Sequence, residues 1–146
     1  MKGLSVRAPW WWAILLGKPV ENRAWYTTQR GRIWLHASKF WKAPEVEAEL
    51  RRVEHMAAMD GIAMPFPPIA DLKRQCGCIV GSVEIYDCVR QHPSAFFAGP
   101  YGFLLRNPIA LPKPMPFQGA LRFFEVPVLW QLLPSPSLNK LRQWRC

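Results

Sequence analysis

The chain has 146 residues, of which 50% are hydrophobic and 20% charged, a balance that predicts one globular domain and excludes wholesale disorder and coiled-coil structure. The longest uncharged apolar run, residues 8–16, is about half of the roughly 20 residues that a membrane-spanning helix needs. Three tryptophans interrupt this run and no small-residue cleavage site follows it, so it is not typical of a signal peptide. We therefore expect a cytoplasmic protein with no membrane partner.

The net charge of +9 is distributed unevenly along the chain. Residues 1–42 carry eight Lys/Arg against one acid, residues 43–100 carry five against eight acids, and residues 101–146 carry six against one acid. Clustered Lys and Arg attract phosphates through Coulomb steering and counterion release. The pattern favours a polyanionic partner, and the alternative is a basic surface that serves only solubility.

The first elements come in the order helix, strand, strand. Residues 9–16 begin with proline and are followed by Gly17, an asymmetry typical of a short helix. Pro19 disfavours helical backbone at Lys18, so a strand is predicted over residues 20–25, with Glu21 and Arg23 on one face. Residues 31–37 form the next predicted strand. Because Lys18 lies between a helix end and a proline, we expect its side chain to be exposed and its removal to leave the fold intact.

The rest of the chain completes a small mixed fold. Residues 44–59 form the longest predicted helix, with acids in its first turns, and we expect its acidic face to point away from any phosphate site. Residues 78–89 form a strand whose length requires a bulge, which Gly81 supplies. Strands at 101–106 and 122–130 and a final helical turn at 138–144 follow, and the proline-rich stretches, including 107–119, are interpreted as connectors. The predicted class is α+β, a small β-barrel of about five or six strands with flanking helices, in a single domain over residues 1–146.

Few residues have the spacing of a cofactor or metal site. Glycine-rich nucleotide motifs, G-x-S-x-G and H-E-x-x-H are absent. Four residues could form a zinc site by residue type alone: Cys76, Cys78, Cys88 and His92. However, C-x-C spacing is unusual for structural zinc, so we expect the cysteines to be ordinary buried thiols. We expect no metal and no cofactor. Among the histidines, His36 is the best candidate for a functional role.

Three consecutive tryptophans lie on the first predicted helix. Trp10, Trp11 and Trp12 must point in directions about 100° apart, so one faces the core and at least one is partly exposed. Aromatic rings interleaved with cations stack single-stranded bases. The alternative is that all three simply pack against the barrel.

Several segments together resemble the ASCH domains, relatives of the PUA, EVE and YTH folds in the PUA-like superfamily. They are LSVRAPW (4–10), HASK (36–39), GSVEIYDC (81–88), YGFLLRNP (101–108), FQGALRFFEVP (117–127) and a G-x-K-x-x-E-x-R pattern formed by Lys18, Glu21 and Arg23. The first glycine of that pattern is Leu16 here, and Gly17 comes one residue late. The resemblance implies a barrel of about six strands with a helix beside a cleft and the motif on its floor. Members are associated with RNA or modified nucleosides.

The leading functional prediction is a nucleic-acid-binding module that holds single-stranded RNA, a nucleotide or a modified base or nucleoside in this cleft. Phosphate and base contacts are expected from one set of polar, basic and aromatic side chains. It comprises Arg7, Trp10, Lys18, Glu21, Arg23, Thr27, Arg30, His36, Ser38, Lys39 and Arg122. The alternative for Glu21 and Arg23 is a plain surface ion pair.

A hydrolase in the same cleft is the second hypothesis. Some ASCH relatives hydrolyse an acylated cytidine and others are reported to cleave RNA, with the signature lysine central, so Lys18 and Glu21 would be the catalytic residues of a modified-nucleoside amidohydrolase or a ribonuclease. The deacylating relatives carry threonine at the position of Glu21, so this sequence departs from their pattern there. A protein-interaction role through the proline-rich stretches is the third possibility, and enzyme activity stays open.

Overall fold

A computed structural model describes residues 1–127 of the chain. These residues form one six-stranded sheet with three helices beside it, which confirms the predicted small α+β barrel-like class. The strands are β1 (Lys2–Val6), β2 (Val20–Arg23), β3 (Gly31–Ala37), β4 (Cys78–Val89), β5 (Tyr101–Pro116) and β6 (Phe123–Glu125), and the helices are α1 (Trp10–Leu15), α2 (Ala43–Asp60) and α3 (Ile69–Gln75).

The sheet order is β2-β5-β4-β3-β1-β6, and β1 pairs with β3 in parallel while the other neighbours are antiparallel. The sheet curls so far that its two edge strands approach each other. Trp25, just after β2, packs edge-on against Phe123 of β6 with ring centroids 5.5 Å apart. The main chain of β1 also accepts a hydrogen bond from Arg23 at the end of β2. The cleft described below lies along this junction.

Alternating residues of the strands build the core inside the curl. Leu4 and Val6 of β1 are buried beside Ile33 and Leu35 of β3, as the two-residue period of a strand requires. Trp11 of α1 is completely buried in the same cluster. Helix α2 contributes Val53 and Ala57 to a second buried cluster that also includes Val20 and Phe96. Together the clusters fix α1 and α2 against the sheet beside β2.

The predicted bulge in β4 is confirmed at Gly81. The pairing of β4 with β5 shifts register between Ile79 and Gly81. A Cβ atom at Gly81 would contact the carbonyl oxygen of Ile109 and lie 2.7 Å from Leu15 Cδ2. The absence of a side chain therefore lets β5 and α1 approach the backbone of β4 closely.

Three sequence-based expectations were wrong or incomplete. Residues 107–116 are not a connector but the second half of β5. Strand β2 pairs only with Tyr101–Leu104, so no strand of residues 1–127 pairs with the later part of β5 on that side, and its prolines need no ladder hydrogen bond to β2. The short β1 and α3 were not predicted. The predicted strand at 122–130 is observed as β6 within the described part, whereas residues 128–130 and the helical turn at 138–144 lie outside it.

Within residues 1–127, no helix combines the length and the apolar character needed to cross a membrane.

Candidate functional site

A cleft of about 1160 Å³ runs along the junction of the sheet edges. Its walls come from β1 and the start of α1, from β2, from the end of β3, from α2 and from the segment before β6. The volume slightly exceeds the roughly 300–1,000 Å³ usual for small-molecule sites. The cleft is therefore large enough for a nucleotide-sized group, and it is open to solvent, so a bound polymer could extend beyond it.

The turn after α1 places Lys18 at the cleft. Gly17 takes a left-handed backbone (φ 110°), and the Lys18 amide then donates to the Ala13 carbonyl oxygen at 2.9 Å. This reversal directs the lysine side chain back towards β2. Its Nζ donates to Glu21 Oε1 at 2.8 Å, and the Lys18 side chain is only 2% exposed.

Glu21 bridges two cations. Its Oε2 accepts a hydrogen bond from Arg23 at 3.0 Å, and the same guanidinium nitrogen donates to the main-chain oxygen of Ser5 at 2.9 Å. Burial alone raises the pKa of Glu21, but the charges and hydrogen bonds of Lys18 and Arg23 outweigh it and hold that pKa below its ordinary value. The carboxylate is therefore ionised at neutral pH, and both of its oxygens are engaged.

The expectation that Lys18 is exposed was wrong. Both Lys18 and Glu21 are buried, and only Arg23 of the three motif residues is partly exposed. The alternative of a plain surface ion pair is wrong for the same reason. The turn at Gly17, not the local polarity of the sequence, decides where the lysine points. All three side chains line the same cleft beside α1.

The three tryptophans point in three directions, as predicted. Trp11 is in the core, whereas Trp10 and Trp12 are half-buried. The Trp12 indole donates to the Pro65 carbonyl oxygen at 3.1 Å, away from the cleft. Trp10 lines the cleft, with Lys18 Nζ 4.8 Å from its ring centroid and the Arg52 guanidinium carbon 6.0 Å from it. Trp10 is thus the tryptophan of the site and holds two cations near its ring.

His36 fastens one wall of the cleft. Its Nε2 lies 2.6 Å from the Phe117 carbonyl oxygen and its Nδ1 lies 2.9 Å from Ser5 Oγ. Since a carbonyl can only accept, Nε2 carries the proton and Nδ1 accepts from the serine hydroxyl. Burial lowers the pKa of His36 and outweighs the hydrogen bond to Phe117. The imidazole is therefore neutral at pH 7 and serves as a fixed link.

The wall that His36 fastens is the segment of residues 117–122. The Phe117 ring stacks on Phe124 with centroids 5.9 Å apart. Gly119 lies directly over the histidine, because a Cβ there would be 2.7 Å from His36 Cε1 and Nδ1. At the end of the segment, the Arg122 guanidinium carbon lies 4.9 Å from the Trp25 ring centroid.

Basic side chains dominate the cleft. Among the described residues that line it, one is a carboxylate, Glu21, and six are Lys or Arg: Arg7, Lys18, Arg23, Lys39, Arg52 and Arg122. Of these, Arg7, Lys39 and Arg122 are exposed and form no ion pair with any residue of 1–127. The Arg7 guanidinium is stacked 4.0 Å from the Phe40 ring centroid, and Ser38, whose Oγ accepts from the Phe40 amide, is beside it. The cleft rim therefore carries unpaired positive charge.

Two predicted contacts lie away from the cleft. Thr27 Oγ1 accepts from the Gln29 amide, and Arg30 donates to the Thr27 carbonyl oxygen. Arg30 also lies 3.6 Å from Asp87. Neither residue lines the cleft, and both instead form hydrogen bonds within the loop after β2.

Several lining residues were missed by the sequence analysis. Asn22 lies between two motif residues, and its Oδ1 accepts from the amides of Ala98 and Gly99 while its Nδ2 donates to the Phe96 carbonyl oxygen at 2.8 Å. Arg52 comes from the helix regarded as acidic. The acids of α2 do not line the cleft, in agreement with the prediction that they face away. Asn22 could have been predicted as a site residue because it lies within the motif, whereas nothing in the sequence around Arg52 connects it with the cleft.

No cluster of three or more potential metal ligands occurs among residues 1–127. Cys76 and Cys88 are buried free thiols, and burial raises the pKa of Cys76 to about 11. Cys76 is therefore protonated at neutral pH, a poor state for metal ligation.

Comparison with known proteins agrees with this architecture. The chain is similar to activating signal cointegrator 1 of Homo sapiens, with 29% identity over 140 residues, and to the mouse protein of the same name, with 27% identity. In both cases the match covers 88% of this chain but only 22% of the relative, so the chain corresponds to about a fifth of those proteins. The model of the ASCH domain matches residues 4–103. Because that match covers more than half of the chain and includes the whole Lys18, Glu21 and Arg23 motif, the chain belongs to the ASCH domain family.

Proposed function

We propose that the domain binds nucleic acid, and that its ligand is single-stranded RNA or an unstacked, modified base held in the cleft. The observation that carries the proposal is the charge of the cleft: six cations and one carboxylate that is itself neutralised by two of them. Such a surface attracts phosphates at long range and releases counterions on contact. The family membership supports the same ligand class.

The floor and the rim of the cleft have different roles in this proposal. Lys18 and Arg23 are held by Glu21 in fixed positions, so they present hydrogen-bond donors to a base edge or a phosphate without first losing side-chain freedom. Arg7, Lys39 and Arg122 are exposed and follow the backbone of the nucleic acid. Trp10 supplies an aromatic surface beside the floor.

The geometry supports binding more than hydrolysis. A lysine that acts as a nucleophile or general base must have its amine free to reach the substrate. Lys18 Nζ instead donates to Glu21 Oε1 at 2.8 Å and lies 4.8 Å from the centroid of the Trp10 ring. Glu21, the other candidate for catalysis, already uses both oxygens to accept hydrogen bonds.

The proposal is tested by fluorescence anisotropy with a labelled single-stranded RNA, and with DNA of the same sequence and free nucleosides as competitors. Arg7→Gln and Lys39→Gln should each weaken RNA binding about three- to tenfold, the loss of roughly one phosphate contact. Lys113→Gln is the matched control, because Lys113 is exposed but lies outside the cleft. Equal losses in all three variants, or no binding by the wild type, would contradict the proposal.

The hydrolase hypothesis is checked on the same preparation. The wild type is incubated with an acylated cytidine and with the RNA, and product is followed by chromatography. We expect the RNA to be bound and recovered intact. Turnover that Lys18→Met abolishes would instead establish the enzymatic alternative.

We also propose a cytoplasmic location, which is compatible with the RNA ligand proposed above. Fractionation of cells that produce the full chain tests this, and recovery with membranes would contradict it.

A further inference from the structure

One apolar side chain projects into solvent beside the cleft. Leu121 is 93% exposed, more than any other large hydrophobic residue of the described part of the chain; the next, Met59, is 67% exposed. Burial of a leucine side chain normally stabilises a fold, and this side chain is almost entirely in contact with solvent. Leu121 nevertheless belongs to the cleft lining. Packing within residues 1–127 therefore gives no reason for a leucine at this position.

The segment that carries Leu121 is held on both sides. Before it, the Phe117 carbonyl oxygen is bound by buried His36 at 2.6 Å and Gly119 lies against the same imidazole. After it, Arg122 stacks over Trp25, and Phe123 begins β6. An exposed side chain on a tethered backbone keeps its direction when it meets a ligand.

The charge around Leu121 selects the kind of ligand that it meets. Arg122, the next residue, is exposed and has no ion pair within the described residues, and the cleft behind it is basic. An apolar tip beside cations at the mouth of a cavity fits a polyanion that has stackable bases. Proteins that separate bases insert such apolar wedges between them.

We propose that Leu121 is a wedge that enters a base stack and occupies the space left by a base that moves into the cleft. The inference rests on the proposed function and deepens it, because it extends the ligand class from free single strands to bases that begin inside a stem. The wedge replaces part of the stacking that the extruded base loses, and the cleft floor binds the base. Weakly paired or mismatched bases are the preferred targets, since they are the least costly to unstack.

The test uses a short RNA duplex with 2-aminopurine opposite a mismatch, and the same labelled strand alone. The wild type should bind both, and the 2-aminopurine fluorescence of the duplex should rise as the base unstacks. In Leu121→Asn, duplex affinity should fall about tenfold and the fluorescence rise should disappear, while single-strand affinity stays within about twofold. Leu121→Met should restore both duplex signals, and Ile109→Asn, at an exposed aliphatic residue outside the cleft, should change neither.

The possible outcomes separate this inference from the proposed function. Equal losses on strand and duplex in Leu121→Asn, or duplex binding by the wild type without a fluorescence rise, would overturn the wedge and leave RNA binding in the cleft intact. Failure of the wild type to bind either RNA would overturn both. Circular dichroism of each variant, expected to match the wild type because Leu121 is almost fully exposed, excludes misfolding as the cause.

Discussion

Glu21 is the residue on which the site depends. Its two oxygens bind Lys18 and Arg23, which come from a turn and from the end of the same strand, and the pair with Lys18 is almost entirely shielded from water. A buried ion pair adds little net stability, but loss of one partner leaves the other charge uncompensated. Lys18 therefore matters to the fold as well as to any ligand.

Lys18→Ala is expected to lower the free energy of unfolding by about 3 kcal/mol, since it leaves a buried carboxylate with one partner instead of two. Urea denaturation measures this loss. Lys39→Ala, at an exposed lysine of the same cleft, should change stability by less than about 0.5 kcal/mol. The double variant Lys18→Met, Glu21→Gln should recover much of the loss because no unpaired charge is buried. A Lys18→Ala protein as stable as the wild type would show that the pair is not formed.

The ionisation of Glu21 should make stability depend on pH in the acid range. Its pKa is lowered in the folded state, so its contribution is complete above the unfolded-state pKa, about 4.3, and is lost as the pH falls through the folded-state pKa. The stability difference between wild type and Glu21→Gln should therefore stay constant from about pH 7 to pH 5 and shrink as the pH falls further. Glu54→Gln, at an exposed carboxylate of α2, is the control and should show no such trend. A difference that is constant with pH would contradict the assignment.

At the scale of elements, the bulge in β4 determines how closely α1 and β5 approach the sheet. Gly81→Ala should lower the free energy of unfolding by about 1–3 kcal/mol, because the new methyl group meets the Ile109 carbonyl oxygen. Leu15→Ala should not rescue it, since the backbone contact stays. Thermal and urea unfolding check both variants, and a Gly81→Ala protein of wild-type stability would show that the bulge can open without cost.

Elements that depend on local pattern were predictable from the sequence. Strands β3 and β4 have the predicted bounds because the alternation of β3 and the many β-branched residues of β4 are local signals. The proline-rich half of β5 was not predictable, because tolerance of proline there depends on β2 ending early, which is a property of the sheet. Similarly, the motif spacing placed Lys18 and Glu21 in one site, but their burial was not predictable, because it depends on the turn at Gly17 and on the packing of α1 and the distant α2 around the cleft.

At the scale of the whole molecule, the cleft lining contains six Lys or Arg residues and one acid among the described residues. Helix α2 carries both acidic and basic side chains, and Arg52 is its one charged residue that lines the cleft. The Arg52 guanidinium forms an ion pair with Glu49 at 3.1 Å. Glu21 is the one acid of residues 1–127 that lines the cleft. The rim carries three cations, Arg7, Lys39 and Arg122, that form no ion pair within those residues.

Binding to single-stranded RNA should weaken steeply as salt rises. The cleft lining has four exposed cations, namely the three of the rim and Arg52. If each neutralises one phosphate, log K should fall with log salt with a slope of about −3, since each contact contributes about −0.7. Arg52→Gln should reduce the slope by about one contact, whereas Arg51→Gln, the neighbouring exposed arginine outside the cleft, should not. A slope near zero, or equal changes in both variants, would contradict phosphate contacts at the cleft.

The position of β1 between β3 and β6 has a consequence for how the chain folds during synthesis. β1 is synthesised before both of the strands that flank it, β3 and β6, and the second of these ends at residue 125. During translation, β1 therefore has one unpaired edge until almost the whole described domain has emerged. Long-range pairing of this kind slows folding and leaves strand edges open to other chains. Nascent chains that stop before β6 should accordingly recruit holding chaperones, and release of those chaperones should coincide with the appearance of residues 123–125.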